Sequence, residues 1–401
     1  MPRSYATALL VLTWALFLGG CPEWFLIAQS RASVKPLPMP ALPSEQAWLV
    51  TLPAPLSAGG AMDAQRVYIP LQADAQDPST PGLVALDRES GSTAWASAER
   101  SVWPPVVGNG LLMLLGVEGD LLALDPATGG LKWRVHIAGT PSAPLVLNAS
   151  TILVVTEPAA VTAISSTDGE VVWTRALAAP VHVAPAHGSE ATAYLSLTDS
   201  RVIALSLDTG RTKWERMLAG TLTAPAAARD RVFVGSTDNL FYALDGDTGD
   251  VEWKWRTGGD VIGSTANTEA VYFAALDNVV RRVNLGNGHQ RWKQAIATRP
   301  AFPPSLLEGT VIVAGLSALS GFDARTGTTE GVYAAPGDPP GRLQGPPLAD
   351  VVLRPFRVAT VVLLRDGRAV GLRPVAMMFR EMSPEPLVAL PGRALSRERL
   401  R

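Results

Sequence analysis

One turn recurs along this chain at nearly constant spacing. The stretch "LLALDPATGGLKW" runs apolar residues into Asp125, turns through Thr-Gly and ends on Trp133. It returns as "LVALDRESGSTAW" ending at Trp95, "VTAISSTDGEVVW" at Trp173 and "VIALSLDTGRTKW" at Trp214. Two more copies are "FYALDGDTGDVEW" at Trp253 and "RRVNLGNGHQRW" at Trp292. A seventh, "LSGFDARTGTTEGVY", keeps the glycine but lacks the Trp, and its nearest aromatic residue is Tyr333. The turn glycines are Gly91, Gly129, Gly169, Gly210, Gly249, Gly288 and Gly327, at successive intervals of 38, 40, 41, 39, 39 and 39 residues. Such a period marks a repeat architecture, in which each copy buries its faces against its neighbours.

The chemistry of each copy reads as structural. Four residues before the glycines stand Asp87, Asp125, Ser165, Ser206, Asp245, Asn284 and Asp323. These short side chains accept hydrogen bonds from the N–H groups of their own turn. The glycine supplies the positive φ that a tight turn between antiparallel strands needs. The Trp then falls on the second strand of the hairpin, where its ring can pack on a neighbouring unit. Ser and Asn replace Asp in three copies, which argues against a cofactor role for this position.

Upstream of each hairpin lie two further strands. One is an apolar, β-branched run such as "TILVVT", "RVFVGST" or "TVIVAG"; before it comes a small-residue run with Pro or Gly, such as "TPSAPLV" or "TLTAPAA". Four short strands per copy, repeated radially, predict an all-β fold of β-propeller blades, with the small residues innermost. Seven turns give seven hairpins. Near the C-terminus, "PFRVATVVLLRDGRAVGLRP" has the middle strands of a blade but no Trp ending. Near the N-terminus, "QAWLVTLPAPLSA" offers a Trp strand, with Trp48, and nothing before it. Joined, they make an eight-bladed propeller of four-stranded antiparallel blades, closed by the N-terminal strand, which removes two exposed edges. The 47 residues from Trp48 to Trp95 exceed the other intervals because of "ADAQDPSTPG", a polar insertion expected to enlarge a loop.

The flanks carry the signals for location. The chain begins "MPRSYATALLVLTWALFLGGC", with Arg3, an apolar run to Leu18, two glycines and Cys21, its single cysteine. That is the layout of a secretory signal, too short to serve as a comfortable mature span. "LGGC" resembles the lipobox of bacterial lipoproteins, which implies a signal peptide over 1–20 and lipid attachment at Cys21. Residues 21–44 read as a Pro-rich tether, 45–374 as the propeller and 375–401 as a basic tail with Arg393, Arg397, Arg399 and Arg401. A lone cysteine excludes an intramolecular disulfide and any Cys-based zinc or iron–sulfur site. A net charge of −2, with charged residues at 17%, argues against nucleic-acid binding.

The repeated "ALDxxTGxxxW" resembles the PQQ-like (quinoprotein-type) β-propeller repeat over residues 45–374. With the lipobox in front, the chain is most similar to the BamB lipoproteins of outer-membrane assembly. That resemblance implies a monomeric, non-catalytic scaffold, anchored through lipid to the outer membrane, facing the periplasm and docking on the barrel-assembly machinery. The same repeat occurs in quinoprotein dehydrogenases, which resemblance makes the rival reading: these hold pyrroloquinoline quinone with Ca²⁺. Here no cysteine pair is available, and the inner strands offer few carboxylates for a hard cation. A third reading is a cell-surface ligand-binding propeller, with Trp103 and Phe302, each two residues before a Pro, lining a channel mouth. Packing on a neighbouring blade is the simpler role for both. His136, His182, His187 and His289 show no metal-ligand spacing. The expectation is therefore no catalytic, cofactor or metal residues, with partner binding on the loops of one rim.

Overall fold

Apolar runs without a polar alternation become the buried middle of each blade. Leu111–Leu115, Thr151–Thr156 and Thr192–Ser196 are second strands, and Leu83–Asp87 and Leu240–Asp245 are third strands, all buried along nearly their whole length. Strands covered on both faces have no solvent side to mark with polar residues. Fourth strands such as Val251–Arg256 alternate exposed with half-buried residues. They form the outer edge.

A computed structural model describes residues 44–374 except 117, 149, 189–190, 308, 338–339 and 350–357. The described residues form eight four-stranded antiparallel sheets. Blades 1 to 7 occupy residues 61–97, 106–136, 146–176, 186–217, 226–256, 261–295 and 305–334, each with its strands in chain order from inside to outside. Blade 8 takes Leu348–Ala349, Thr360–Leu363 and Arg368–Pro374 from one end of the sequence and Ser44–Thr51 from the other. The N-terminal strand lies antiparallel to Arg368–Pro374, with Trp48 opposite Gly371. The ring is closed by that pairing.

Proline sets where several of the inner strands begin. Their residues follow a proline in blades 2 to 5: Pro105 precedes Val106–Gly108, Pro185 precedes Ala186–His187 and Pro225 precedes Ala226–Ala228. A proline has no N–H for the ladder, so pairing starts after it. Blade 6, whose inner segment "DVIGSTA" has no proline, has the longest inner strand, Val261–Ala266. Trp103 and Phe302 accordingly fall outside the inner strands, in the connections leading to Val106–Gly108 and Ser305–Leu307.

The hydrophobic interior is divided among blade interfaces. Eight clusters of buried side chains are found, each shared by two adjacent blades. Between blades 4 and 5, for example, Tyr194, Val202, Ala204 and Trp214 face Leu222, Val232, Val234 and Leu244. Between blades 8 and 1, Trp48, Val361 and Leu363 face Val67, Ile69 and Leu86. Blade 8 is thus packed like the others, although its strands come from both ends of the chain.

Candidate functional site

The conspicuous residues of the repeat form a clasp between consecutive blades. In every copy the turn glycine N–H donates to the carbonyl four residues back, at 2.8–3.1 Å. In six copies the side chain at that same position caps the turn; Asn284 instead accepts from Arg291 Nε at 2.8 Å. Asp245 Oδ1 accepts from Asp247 N at 3.0 Å and Thr248 N at 2.8 Å, and these N–H groups hold its carboxyl below the usual carboxylate range. Where Ser165 or Ser206 replaces Asp, the corresponding contact lengthens to 3.3 Å. Carboxylates make the shorter, charge-assisted bond, yet a hydroxyl suffices for the turn.

All seven glycines hold φ between +66° and +78°. A Cβ on any of them would lie 2.5–2.8 Å from a Trp ring. That ring belongs to the preceding blade: Trp48 covers Gly91, Trp95 covers Gly129, Trp133 covers Gly169 and Trp173 covers Gly210, and the order continues through Trp214, Trp253 and Trp292 to Gly327. Six of the indoles donate Nε1–H into the turn they cover, as Trp214 does to Gly246 O at 2.8 Å and Trp173 to Leu207 O at 2.6 Å. Trp133 Nε1 is buried and meets no acceptor among the described residues. On its own strand each Trp sits beside a bulge, at the residue just before it. Its cross-strand partner is Ala in five blades, Gly371 for Trp48 and Arg282 for Trp292, so room for the ring is usually made by a small side chain.

The clasp also explains the seventh copy. A Trp on the outer strand of blade 7 would reach for the third-to-fourth turn of blade 8. Blade 8 has no such turn, because its third strand ends at Pro374 and its fourth comes from Ser44–Thr51. Gly331 stands where the other copies have Trp.

The remaining polar groups are scattered. Asp277 and Arg281 form a buried ion pair, with the guanidinium 5.5 Å from the Trp255 ring centre and 5.8 Å from that of Phe273. Burial works against the charge of Asp277, but Arg281 and the N–H groups of Gly258 and Val279 hold it below the usual range. Glu330, on the outer strand of blade 7, accepts from Thr310 Oγ1 at 2.7 Å, and burial pushes it up to about 7. His187 is half-buried with neither ring nitrogen bonded among the described residues, and desolvation lowers it to about 4. His182 meets Glu157 at 2.8 Å, and His136 meets Asp120 at 3.0 Å. Sequence reasoning missed the Asp277–Arg281 pair and Glu330: Arg281 stands where the third strands of the other copies carry uncharged residues, while Glu252 holds the place of Glu330 in blade 5, so nothing set Glu330 apart.

Trp103 packs on the cluster between blades 2 and 3, and Phe302 on that between blades 7 and 8. Among the described residues no three His, Cys, Asp or Glu side chains come together to hold a metal. A Ca²⁺-bound quinone needs such a set of oxygen ligands. The residues present do not fit it. Cys21, the signal and tether segments and the basic tail lie outside the described residues.

Strand order divides the loops between two faces. With four antiparallel strands running outwards, the first-to-second and third-to-fourth turns share one face, which carries the clasps. The second-to-third loops and blade-to-blade connections share the other, called here the connection face. The insertion "ADAQDPSTPG" lies between Arg66–Pro70 and Leu83–Asp87, hence on the connection face, with residues 72–79 exposed.

Eight blades joined by seven clasped turns define the class: a quinoprotein-type β-propeller. Within it, the family model described as outer membrane protein assembly factor BamB matches residues 44–151, 79–222 and 199–376, and the chain belongs to that family. The BamB of Moranella endobia (strain PCIT) is 25% identical over 185 residues, covering 41% of this chain and 45% of that protein. The chain thus spans under half the length of the curated relatives it matches. The crystal structure of BamB from Moraxella catarrhalis has a TM-score of 0.50 at 18% identity, over 73% of this chain and 99% of that one. Quinohemoprotein alcohol dehydrogenase ADHIIG from Pseudomonas putida HK5 has a TM-score of 0.61 at 12% identity, over 82% of this chain and 76% of that one. Both structures are alike in fold.

Proposed function

We propose that this protein is a non-catalytic scaffold of the bacterial envelope, presenting its connection face to protein partners in outer-membrane protein assembly. Family membership supports the process. The observation that carries the mode of action is the use made of the repeated polar residues: the Asp and Ser side chains are occupied by their own turns, Asn284 by Arg291, and six of the seven Trp N–H groups by the next turn. What varies from blade to blade is the connection face, most of all at the exposed residues 72–79 of blade 1, and variable surface loops suit recognition. Lipid at Cys21 would hold the propeller at the periplasmic side of the outer membrane, with residues 21–44 as its tether.

A quinoprotein-type dehydrogenase is the second reading, and the fold it shares with ADHIIG is what favours it. That likeness brings no ligand residues with it.

The test is an affinity pull-down of the lipidated protein from its own envelope, read by mass spectrometry. Barrel-assembly subunits in the eluate are expected; their absence counts against the scaffold. Cys21→Ser is expected to yield a chain without acyl groups at residue 21. The same lipid-modified N-terminus in that variant would refute the anchor.

A further inference from the structure

We infer that the sector of the connection face formed by blades 7 and 8 is a docking site for an acidic, leucine-compatible segment of a protein partner, held by Arg299, Arg342 and Arg365 around Leu316. This rests on the scaffold reading above and names the chemistry of the contact.

The three arginines come from different loops that the backbone ties together. Arg365 N donates to Arg342 O at 2.8 Å, and Leu343 N donates to Leu316 O at 2.7 Å. A Cβ on Gly315 would lie 3.2 Å from Arg299 O, so the connection carrying Arg299 lies against the loop carrying Leu316. All three arginines are exposed, and Leu316 is 45% exposed in their midst.

Many acidic groups on this face are matched within the protein. Glu99 pairs with Arg134 at 2.7 Å, Glu157 with His182, Asp199 with Arg201, Asp277 with Arg281 and Asp366 with Arg368. Arg299, Arg342 and Arg365 form no ion pair among the described residues. An exposed leucine among arginine-bearing loops is the composition of a protein interface, and guanidinium forks suit carboxylates.

The rest of the face decides between a protein and an anionic bilayer. Its loops in blades 1 and 2 display Asp74, Asp77 and Glu118. A membrane of negative headgroups pressed flat on this face would meet those carboxylates as well as the arginines. A short acidic segment confined to the sector of blades 7 and 8 meets the three arginines and, among the described carboxylates there, Asp366, which Arg368 pairs at 2.6 Å. Charge complementarity therefore selects the segment.

The experiment places a photo-cross-linking amino acid at position 316 of the full lipidated chain in its native envelope. It is run beside the triple variant Arg299→Ala/Arg342→Ala/Arg365→Ala carrying the same probe. Cross-links are expected on one protein, within a peptide of net negative charge, and their yield should fall at least tenfold in the triple variant. The variant's melting temperature should match the parent's, because the replaced side chains are exposed. Equal yield from the variant, or cross-links only to lipid, overturns the inference. If the triple variant still captures barrel-assembly subunits by pull-down as the parent does, the docking sector is wrong and the scaffold stands. If neither chain captures them, the scaffold falls too.

Discussion

At the residue scale, the Trp–Gly clasp makes two kinds of substitution harmful for opposite reasons. Trp214→Ala empties a ring-sized volume between blades 4 and 5 and should cost about 3–5 kcal/mol. Gly249→Ala keeps the ring but drives a Cβ to 2.5 Å from it, at φ +73°, and should cost about 2 kcal/mol or more. Chemical denaturation of both variants checks this; parental stability in either would show that ring and turn are not in register. Glu330 sets a pH effect. Between its ordinary value of 4.5 and about 7, the folded chain keeps a proton that the unfolded chain has released. Raising pH across that window therefore removes stability. Glu330→Gln should gain on the parent in melting temperature from pH 4.5 to 7, and a constant difference would contradict the assignment. His187 has the opposite sign: between 6.5 and about 4 the unfolded chain takes up a proton that the folded chain refuses. The clasp residues were legible because they recur. Glu330 was not, since its burial is conferred by neighbours rather than by any local pattern.

At the scale of strands, the pairing of the two ends was readable from two half-motifs, each missing what the other had. Most inner strands were placed too early in the sequence, because small residues and prolines were read together, whereas "DVIGSTA" coincides with Val261–Ala266. The missing N–H of proline separates them, leaving Trp103 and Phe302 in connections. Closure gives its own prediction. A Cβ on Gly371 would lie 2.2 Å from the Trp48 ring, whereas one on Gly286 would meet nothing within 4 Å. Gly371→Val should lift Ser44–Thr51 off blade 8, making it a site of limited proteolysis and lowering the melting temperature. Gly286→Val should do neither. Intact resistance to protease in the first variant would argue that the strand is held by its hydrogen bonds alone.

At the scale of the whole propeller, the interior is a ring of eight separate interfaces, so damage should add. Trp95→Ala and Trp253→Ala affect the contacts between blades 1 and 2 and between blades 5 and 6. Their costs should sum to within about 0.5 kcal/mol in the double variant. A markedly larger loss would show that strain travels around the ring. For function, purified protein with pyrroloquinoline quinone and Ca²⁺ should show neither saturable binding nor dye reduction with alcohols. Micromolar binding with turnover would favour the dehydrogenase. The sequence foretold the number of blades, but the face carrying the variable loops became definite only once strand order fixed which turns lie together. That order has a consequence in time. The strand bearing Trp48 is among the first parts of the propeller to leave the ribosome, and its partner around Gly371 is made more than three hundred residues later. Until then the earliest strand has no place to sit, and blade 1 keeps an open flank. Such distant pairing slows folding. A nascent chain of this design depends on whatever shields that flank until its own last strand arrives.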